Sequence, residues 1–283
     1  MDIDGFGFIG AGKVGSTLGR YMAERGRTVT GYFSRRAESA AAAARFTGSK
    51  AYDSIARLAA DSAVLFVTVP DGAIGDIWEI LKKTDIRGKY ICHCSGALSS
   101  RVFAGIAELG AAGLSVHPLA AINSRRDSHA YMQSVSFTVE GESAAAAEMR
   151  SLLRAMGNPA EIIGADRKDA YHAGSVFLTN FVVALAHAGN ELLLSCGLDR
   201  EFVEGASKGL FLANAENICA HGAARALTGP LERGDAETVR RHLRCLREPA
   251  RSLYILLSEE LLRVAKEKNP GRDYAEIEEE LRT

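Results

Sequence analysis

The chain lacks the features of a secreted, membrane-spanning or nucleic-acid-binding protein. Its five cysteines (Cys92, Cys94, Cys196, Cys219, Cys245) are odd in number and contain no CxxC pair. No disulfide framework is expected, and reduced thiols in a cytoplasmic setting are. The formal net charge is −1 over 283 residues, with no basic excess to draw in a polyanion, so nucleic acid is not an expected partner. The opening run MDIDGFGFIGAGKVG has no basic n-region and no small-residue cleavage site, which predicts no signal peptide. The most apolar window, SVFLTNFVVALAHAGNELLL, is interrupted by Asn180, His187, Asn190 and Glu191. It predicts a buried helix and no membrane partner. A metal site is not expected at Cys92-His93-Cys94: neighbouring side chains on a strand point to opposite faces, and no second ligand pair lies nearby. Internal repeats are absent.

Present instead is an ordinary apolar share, 47%, arranged in two different rhythms. The first half alternates short apolar runs with helical stretches. Strands are predicted over 3–9, 28–33, 64–69, 90–94, 113–117 and 135–139, with short ones near Ala51 and over 160–163. Helices are predicted over 14–25, 37–46, 73–83, 100–109 and 143–156. That alternation specifies an α/β fold, a doubly wound and mostly parallel sheet with helices on both faces. After Asp166 the strand signals stop. Helices are predicted over 168–196, 200–221, 236–246 and 250–268, giving an all-α C-terminal domain. The domains are therefore set at 1–164 and 165–283.

Two registers match G-x-G-x-x-G: Gly5, Gly7, Gly10 and Gly10, Gly12, Gly15. Only the second follows a strand and opens a helix, as the motif requires. There the first glycine permits a tight turn, the second lets the backbone approach a pyrophosphate, and the third lets helix pack on strand. Gly10, Ala11, Gly12, Lys13, Val14 and Gly15 are thus cofactor-binding candidates, with the pyrophosphate at the helix start. About 20 residues further on, an NAD site would carry a carboxylate for the ribose 2′-OH. This chain has Phe33, Ser34, Arg35 and Arg36 instead. With no carboxylate to repel a 2′-phosphate, and with Ser34, Arg35 and Arg36 able to grip one, the expected cofactor is NADP.

Ligands of such sheets bind at the carboxyl ends of strands. Three strand ends qualify: Val69, Pro70 and Asp71; Ser95 and Gly96; His117 and Pro118. His117 is a candidate proton donor or substrate hydrogen-bonding group. In KDAYHAGSVFLTN, a single helix would align His172, Ser175, Thr179 and Asn180 on one face. Such a polar stripe in an apolar helix needs partners or a wet cleft, and a cleft between the domains is expected to supply it. His172 would donate a proton, with Asn180 and Ser95 orienting a substrate. Arg125 and Arg126, after the His117 loop, are candidates for an anionic part of that substrate. Gly229-Pro230 is expected to stop one helix and Gly234-Asp235 to cap the next.

The glycine loop, the SRR segment, TVPD, CSGALSS, SVHPLAAI, YHAGSVFLTNFVVAL and LTGPLERGD together resemble the Rossmann-like NADP oxidoreductases that carry a C-terminal helical domain of unknown function. The resemblance covers nearly the whole chain. The wider superfamily includes pyrroline-5-carboxylate reductase, prephenate dehydrogenase and the β-hydroxyacid dehydrogenases. It implies a cofactor domain followed by a helical domain that often dimerises, hence a homodimer through that domain. His117-Pro118 looks similar to a His-Pro segment in the substrate cleft of prephenate dehydrogenases. The β-hydroxyacid enzymes carry a catalytic Lys with Asn four residues later; here Lys168 is followed at that spacing by His172, so the pair does not carry over.

The expected function is NADP(H)-dependent hydride transfer to or from a small polar metabolite, at C=O or C=N. Two alternatives stand beside it. One is hydride exchange between NADP and a deazaflavin or flavin, which needs little acid–base machinery. The other is a non-catalytic NADP-binding redox sensor.

Overall fold

The structure is a computed structural model that describes residues 3–282. It divides into two compact units, Met1–Thr179 and Asn180–Thr283.

The first unit is built on eight strands: β1 (Phe6–Ile9), β2 (Val29–Phe33), β3 (Lys50–Ala51), β4 (Val64–Val67), β5 (Tyr90–His93), β6 (Ala112–Pro118), β7 (Phe137–Gly141) and β8 (Ala160–Ile162). Their order in the sheet is β3-β2-β1-β4-β5-β6-β7-β8. All neighbours are parallel except β6 and β7, which pair antiparallel. The doubly wound α/β expectation therefore holds, and the chain reverses its direction of growth across the sheet between β1 and β4. Helices α1 (Lys13–Glu24), α2 (Ala37–Thr47), α3 (Ile55–Asp61), α4 (Ile74–Leu81), α5 (Ser143–Ala155) and α6 (Lys168–Phe177) complete the unit.

The central strands are buried on both faces, as parallel strands must be when helices cover them. Phe8 stacks between Tyr32 and Phe66 at centroid distances of 5.1 and 5.5 Å, on one face. Ile9, Leu65, Val67 and Ile91 pack with Leu58 and Trp78 on the other. Gly19 is needed for the first of these layers: a Cβ there would lie 1.8 Å from the Tyr32 hydroxyl.

Some elements differ from expectation. β1 begins at Phe6 rather than Ile3, because Gly5 precedes it at φ +86. The helix expected over 100–109 is two 3-10 turns, Ser100–Phe103 and Ile106–Leu109, separated by Gly105 at φ +80. The single helix expected over 168–196 is two, broken at Leu178 and Thr179.

The second unit comprises α7 (Asn180–Ser195), α8 (Arg200–His221), α9 (Ala223–Ala226), α10 (Pro230–Arg233), α11 (Ala236–Cys245), α12 (Ala250–Lys268) and α13 (Ala275–Arg282). It is all-helical, as expected. Pro230 opens α10 at its first turn rather than ending a helix, consistent with a ring that has no N–H to lose there. Gly234 ends α10 at φ +78, and Asp235 caps α11 by accepting from Thr238 N. Leu231, Val239, Leu243, Leu262, Ile277 and Leu281 form this unit's core.

The expectation of a buried apolar helix is overturned. No residue of α7 is buried, and Phe181, Val183, Leu185 and Leu192 are all exposed. Phe202, Leu210, Phe211 and Leu212 on α8, with Leu256 and Leu257 on α12, are exposed as well. The described residues include one stretch, 165–195, long and apolar enough to cross a membrane by length and composition. The break at Leu178 and Thr179 and the polar groups of α7 interrupt it.

Candidate functional site

The glycine loop lies between β1 and α1, and its three glycines differ in what surrounds them. Gly10 has φ +116, and a Cβ there would meet the Thr68 carbonyl oxygen at 2.7 Å. Gly15 is pressed against the loop itself: its Cβ would lie 2.4 Å from Gly10 O and 2.5 Å from Thr68 Oγ1. Gly12 is the N-cap of α1, and a Cβ on it would meet nothing within 4 Å. So the first and third glycines are required by the protein's own packing, while the second faces open space where a ligand backbone could approach. The other register fails: Gly7 is inside β1, where its Cβ would collide with Ser62 and Leu58.

Ser34, Arg35 and Arg36 follow β2 and lead into α2, whose N-cap is Arg36. Together with Gly10, Ala11 and Gly12 they line a cleft of about 450 Å³, which Val69 and Pro70 also border. Lys13, Val14 and Gly15 form the first turn of α1 behind it. Among the described residues Arg35 and Arg36 make no ion pair. Unpaired guanidinium groups beside an open glycine loop are suited to a phosphorylated ligand.

The remaining strand-end residues gather into a second cluster. Asp71 starts a 3-10 turn after β4 and accepts from Ser95 Oγ at 2.6 Å. The same hydroxyl accepts from the Ala97 and Leu98 N–H groups at 3.2 and 3.0 Å. Ser95 is buried and its hydroxyl is fully engaged inside the protein, so it shapes the turn after β5 instead of reaching a substrate.

That turn brings Gly96 against two histidines. A Cβ on Gly96 would lie 2.5 Å from His172 Nδ1 and 3.0 Å from His117 Nε2. The two imidazole rings are 6.3 Å apart, edge to face. His117 Nδ1 shares a 2.6 Å hydrogen bond with the Tyr171 hydroxyl. Burial, reinforced by the Lys168 and His172 charges, pushes the His117 pKa down to about 4. His117 is therefore neutral near neutrality. Burial likewise holds the Tyr171 phenol protonated, so it can donate to Nδ1 and leave Nε2 as the protonated nitrogen. This suits a hydrogen-bond donor rather than a proton-releasing acid.

Lys168 is the residue that sequence reasoning set aside. It is only 2% exposed, and its Nζ donates to Ser95 O at 2.9 Å and to Ser115 Oγ at 2.8 Å. It thereby ties the first turn of α6 to the ends of β5 and β6. Burial lowers its pKa, while the Glu140 and Asp71 charges oppose that shift. A lysine beginning an amphipathic helix gives no sequence sign of such burial; only the crossing of α6 over these strand ends produces it.

The polar stripe expected on the His172 helix is not continuous. Ser175 stays with His172, donating from Oγ to His172 O at 2.7 Å. Thr179 follows the end of α6, and its Oγ1 donates to Ser175 O at 2.7 Å. Asn180 opens α7 and belongs to the second unit. Arg125 also departs from expectation: it lines the glycine-loop cleft, with Arg35 and Arg36, and Arg126 does not.

Two family models match the chain. A Rossmann-like domain covers residues 4–118, and a domain of unknown function (DUF2520) covers 135–261. The two matches follow one another along the chain without overlap. The DUF2520 match takes in β7, β8, α5 and α6 as well as helices of the second unit, so both His172 and Lys168 lie within it. Among solved structures, protein TM1727 from Thermotoga maritima is 27% identical, with a TM-score of 0.73 over 93% of this chain and 99% of that one. Two others share the fold at lower identity. A pyrroline-5-carboxylate reductase from Coxiella burnetii is 16% identical over 94% of this chain and 99% of its own, with a TM-score of 0.60. A reductive aminase from Aspergillus terreus, in complex with NADPH and ethyl-5-oxohexanoate, is 18% identical over 98% of this chain and 99% of its own, also at 0.60. No curated protein matches the chain.

Proposed function

We propose that the protein is an NADP(H)-dependent oxidoreductase that transfers a hydride to or from a C=O or C=N carbon of a small polar metabolite. The observation that carries this reading is the cleft in which an open glycine loop meets Ser34 and two unpaired arginines. The names of the structural relatives, a pyrroline-5-carboxylate reductase and an NADPH-bound reductive aminase, support the same class.

In this reading the N–H groups at the start of α1 face the pyrophosphate, and Gly12 leaves room for it. Ser34, Arg35 and Arg36 hold the 2′-phosphate. Val69, Pro70, Asp71 and Gly96 border the nicotinamide end. The bound nicotinamide supplies or accepts the hydride. The chain's own residues handle the proton and the orientation. His172 is the acid–base group, its Nδ1 3.4 Å from the Ser175 hydroxyl and its ring packed against Gly96. His117, neutral and held by Tyr171, offers a fixed hydrogen bond to the reacting substrate. Lys168 and Asp71 hold the turn that carries Gly96.

The exposed apolar faces of α7, α8 and α12 need cover. A second copy of the chain is the occupant that we infer. A lipid phase would leave His187 and Glu191 of α7 unsatisfied.

The test of the reaction is NADPH oxidation against a panel of small ketones, aldehydes and imines, with His172→Asn beside the parent. Turnover of one class is expected, with kcat lowered roughly 10²- to 10⁴-fold in the variant and cofactor affinity unchanged. Undiminished turnover by His172→Asn, with a flavin or deazaflavin as acceptor, would overturn the acid–base assignment. Cofactor binding without turnover of any substrate would favour a sensor.

A further inference from the structure

The cleft beside the glycine loop is lined by a third arginine that the 2′-phosphate does not require. Arg125 lies in the segment between β6 and β7, far along the chain from Arg35 and Arg36, yet it borders the same cavity. Among the described residues it makes no ion pair. Asp76 is the one acidic side chain in the lining, against three arginines.

The backbone before Arg125 is tied to the helix that the glycine loop opens. Thr17 of α1, wholly buried, donates from Oγ1 to Ser124 O at 3.3 Å. Ser124 in turn organises its own turn: its Oγ accepts from Arg126 N and Asp127 N and donates to Asp127 Oδ2, and its N–H donates to Ser128 Oγ. Arg125 thus extends from an anchored turn, and the anchor is α1, whose N-cap Gly12 lines the cleft.

We propose that Arg125 is a clamp that holds the pyrophosphate of the dinucleotide at the glycine loop. This rests on the dinucleotide reading of the cleft. The anionic groups of such a ligand are two: a 2′-phosphate, which the β2–α2 arginines meet, and the diphosphate, which lies at the glycine loop. A cation fixed to α1 pairs with the second. Arg125 then recognises what NADPH and NADH share, and it contributes affinity without selectivity. It also joins cofactor binding to the segment that directly follows His117-Pro118.

The experiment is a titration of the full chain with NADPH and with NADH, in the parent, Arg125→Ala, Arg125→Lys, Arg126→Ala and the double variant Arg35→Ala/Arg36→Ala. Arg125→Ala is expected to weaken both cofactors by the same factor, roughly tenfold to a hundredfold for a charge-assisted contact, leaving their ratio unchanged. Arg125→Lys should recover part of the loss, and Arg126→Ala should bind as the parent does. The double variant should lower the ratio. Parent-like binding by Arg125→Ala overturns the clamp, and so does a loss confined to NADPH, which would assign Arg125 to the 2′-phosphate. If the parent binds neither cofactor, the dinucleotide reading fails and the clamp fails with it.

Discussion

Gly96 and His172 are in contact so close that a single methyl group cannot be placed between them: a Cβ on Gly96 would fall 2.5 Å from His172 Nδ1. The same methyl would reach His117 Nε2 at 3.0 Å. Gly96→Ala must therefore displace both imidazoles. We expect turnover to fall at least tenfold, more than cofactor affinity falls, and stability to drop by about 1–3 kcal/mol, as overpacking does. Steady-state kinetics beside a cofactor titration would check it. An unaltered kcat would remove the histidine pair from the reacting centre.

The three glycines of the loop should separate folding from binding. Gly15→Ala drives a methyl group into Gly10 O and Thr68 Oγ1, and should cost about 1–3 kcal/mol, as overpacking does. Gly12→Ala meets only open space, so its stability should match the parent's. Its affinity for the dinucleotide should nevertheless fall, because the methyl group occupies the approach that we assign to the pyrophosphate. Urea denaturation and cofactor titration on the two variants would show the opposite orders of effect.

Two histidines, His93 buried and His117 half-buried, give the fold a defined response to acid. Burial pushes both His93 and His117 down to about 4 from an ordinary value of 6.5. The unfolded chain binds these protons first, so the stability is fully present above pH 6.5 and is lost as pH falls towards 4. For His93, which is fully buried, the contribution is on the order of 3 kcal/mol. Urea melts from pH 7 to 4.5 should show stability declining across this window, and more shallowly in His93→Gln. A flat profile would contradict the assignment of these groups as neutral.

Lys168→Met should loosen the turn that carries Gly96. It removes two hydrogen bonds from a buried ammonium, to Ser95 O and Ser115 Oγ. A stability loss of about 1.5–3 kcal/mol is expected. A lower kcat with little change in NADPH affinity should accompany it, read by denaturation and kinetics together.

The exposed apolar side chains of α7, α8 and α12 predict a dimer by light scattering. Val183 and Leu210 are each 70% exposed, so Val183→Asp/Leu210→Asp should yield a folded monomer. A parent protein that is monomeric at micromolar concentration would contradict the inference.

Much of this was legible in the sequence, for identifiable reasons. Parallel strands buried on both faces leave continuous apolar runs, so β1, β2, β4 and β5 were readable within a few residues. The glycine register was decided by what precedes and follows it. The Ser34-Arg35-Arg36 segment was visible because a carboxylate was missing there. What escaped is tertiary. Arg125 lies next to Arg126 in sequence, and only the folded segment brings the first of them, not the second, to the cleft. Lys168 looked like an ordinary helix-start lysine. His172, Ser175 and Asn180 have helical spacing, but the helix stops at Phe177, a break that apolar periodicity does not reveal. Ser95 carried no sequence sign that its hydroxyl would be consumed by Asp71 and the turn beyond it.

The most direct test of the central claim is a fluorescence titration of the full chain with NADPH and NADH, with Arg35→Ala/Arg36→Ala alongside. The account predicts that NADPH binds more tightly than NADH, and that the variant loses most of that preference while it still binds NADH. Equal affinity for the two cofactors in the parent protein would contradict it.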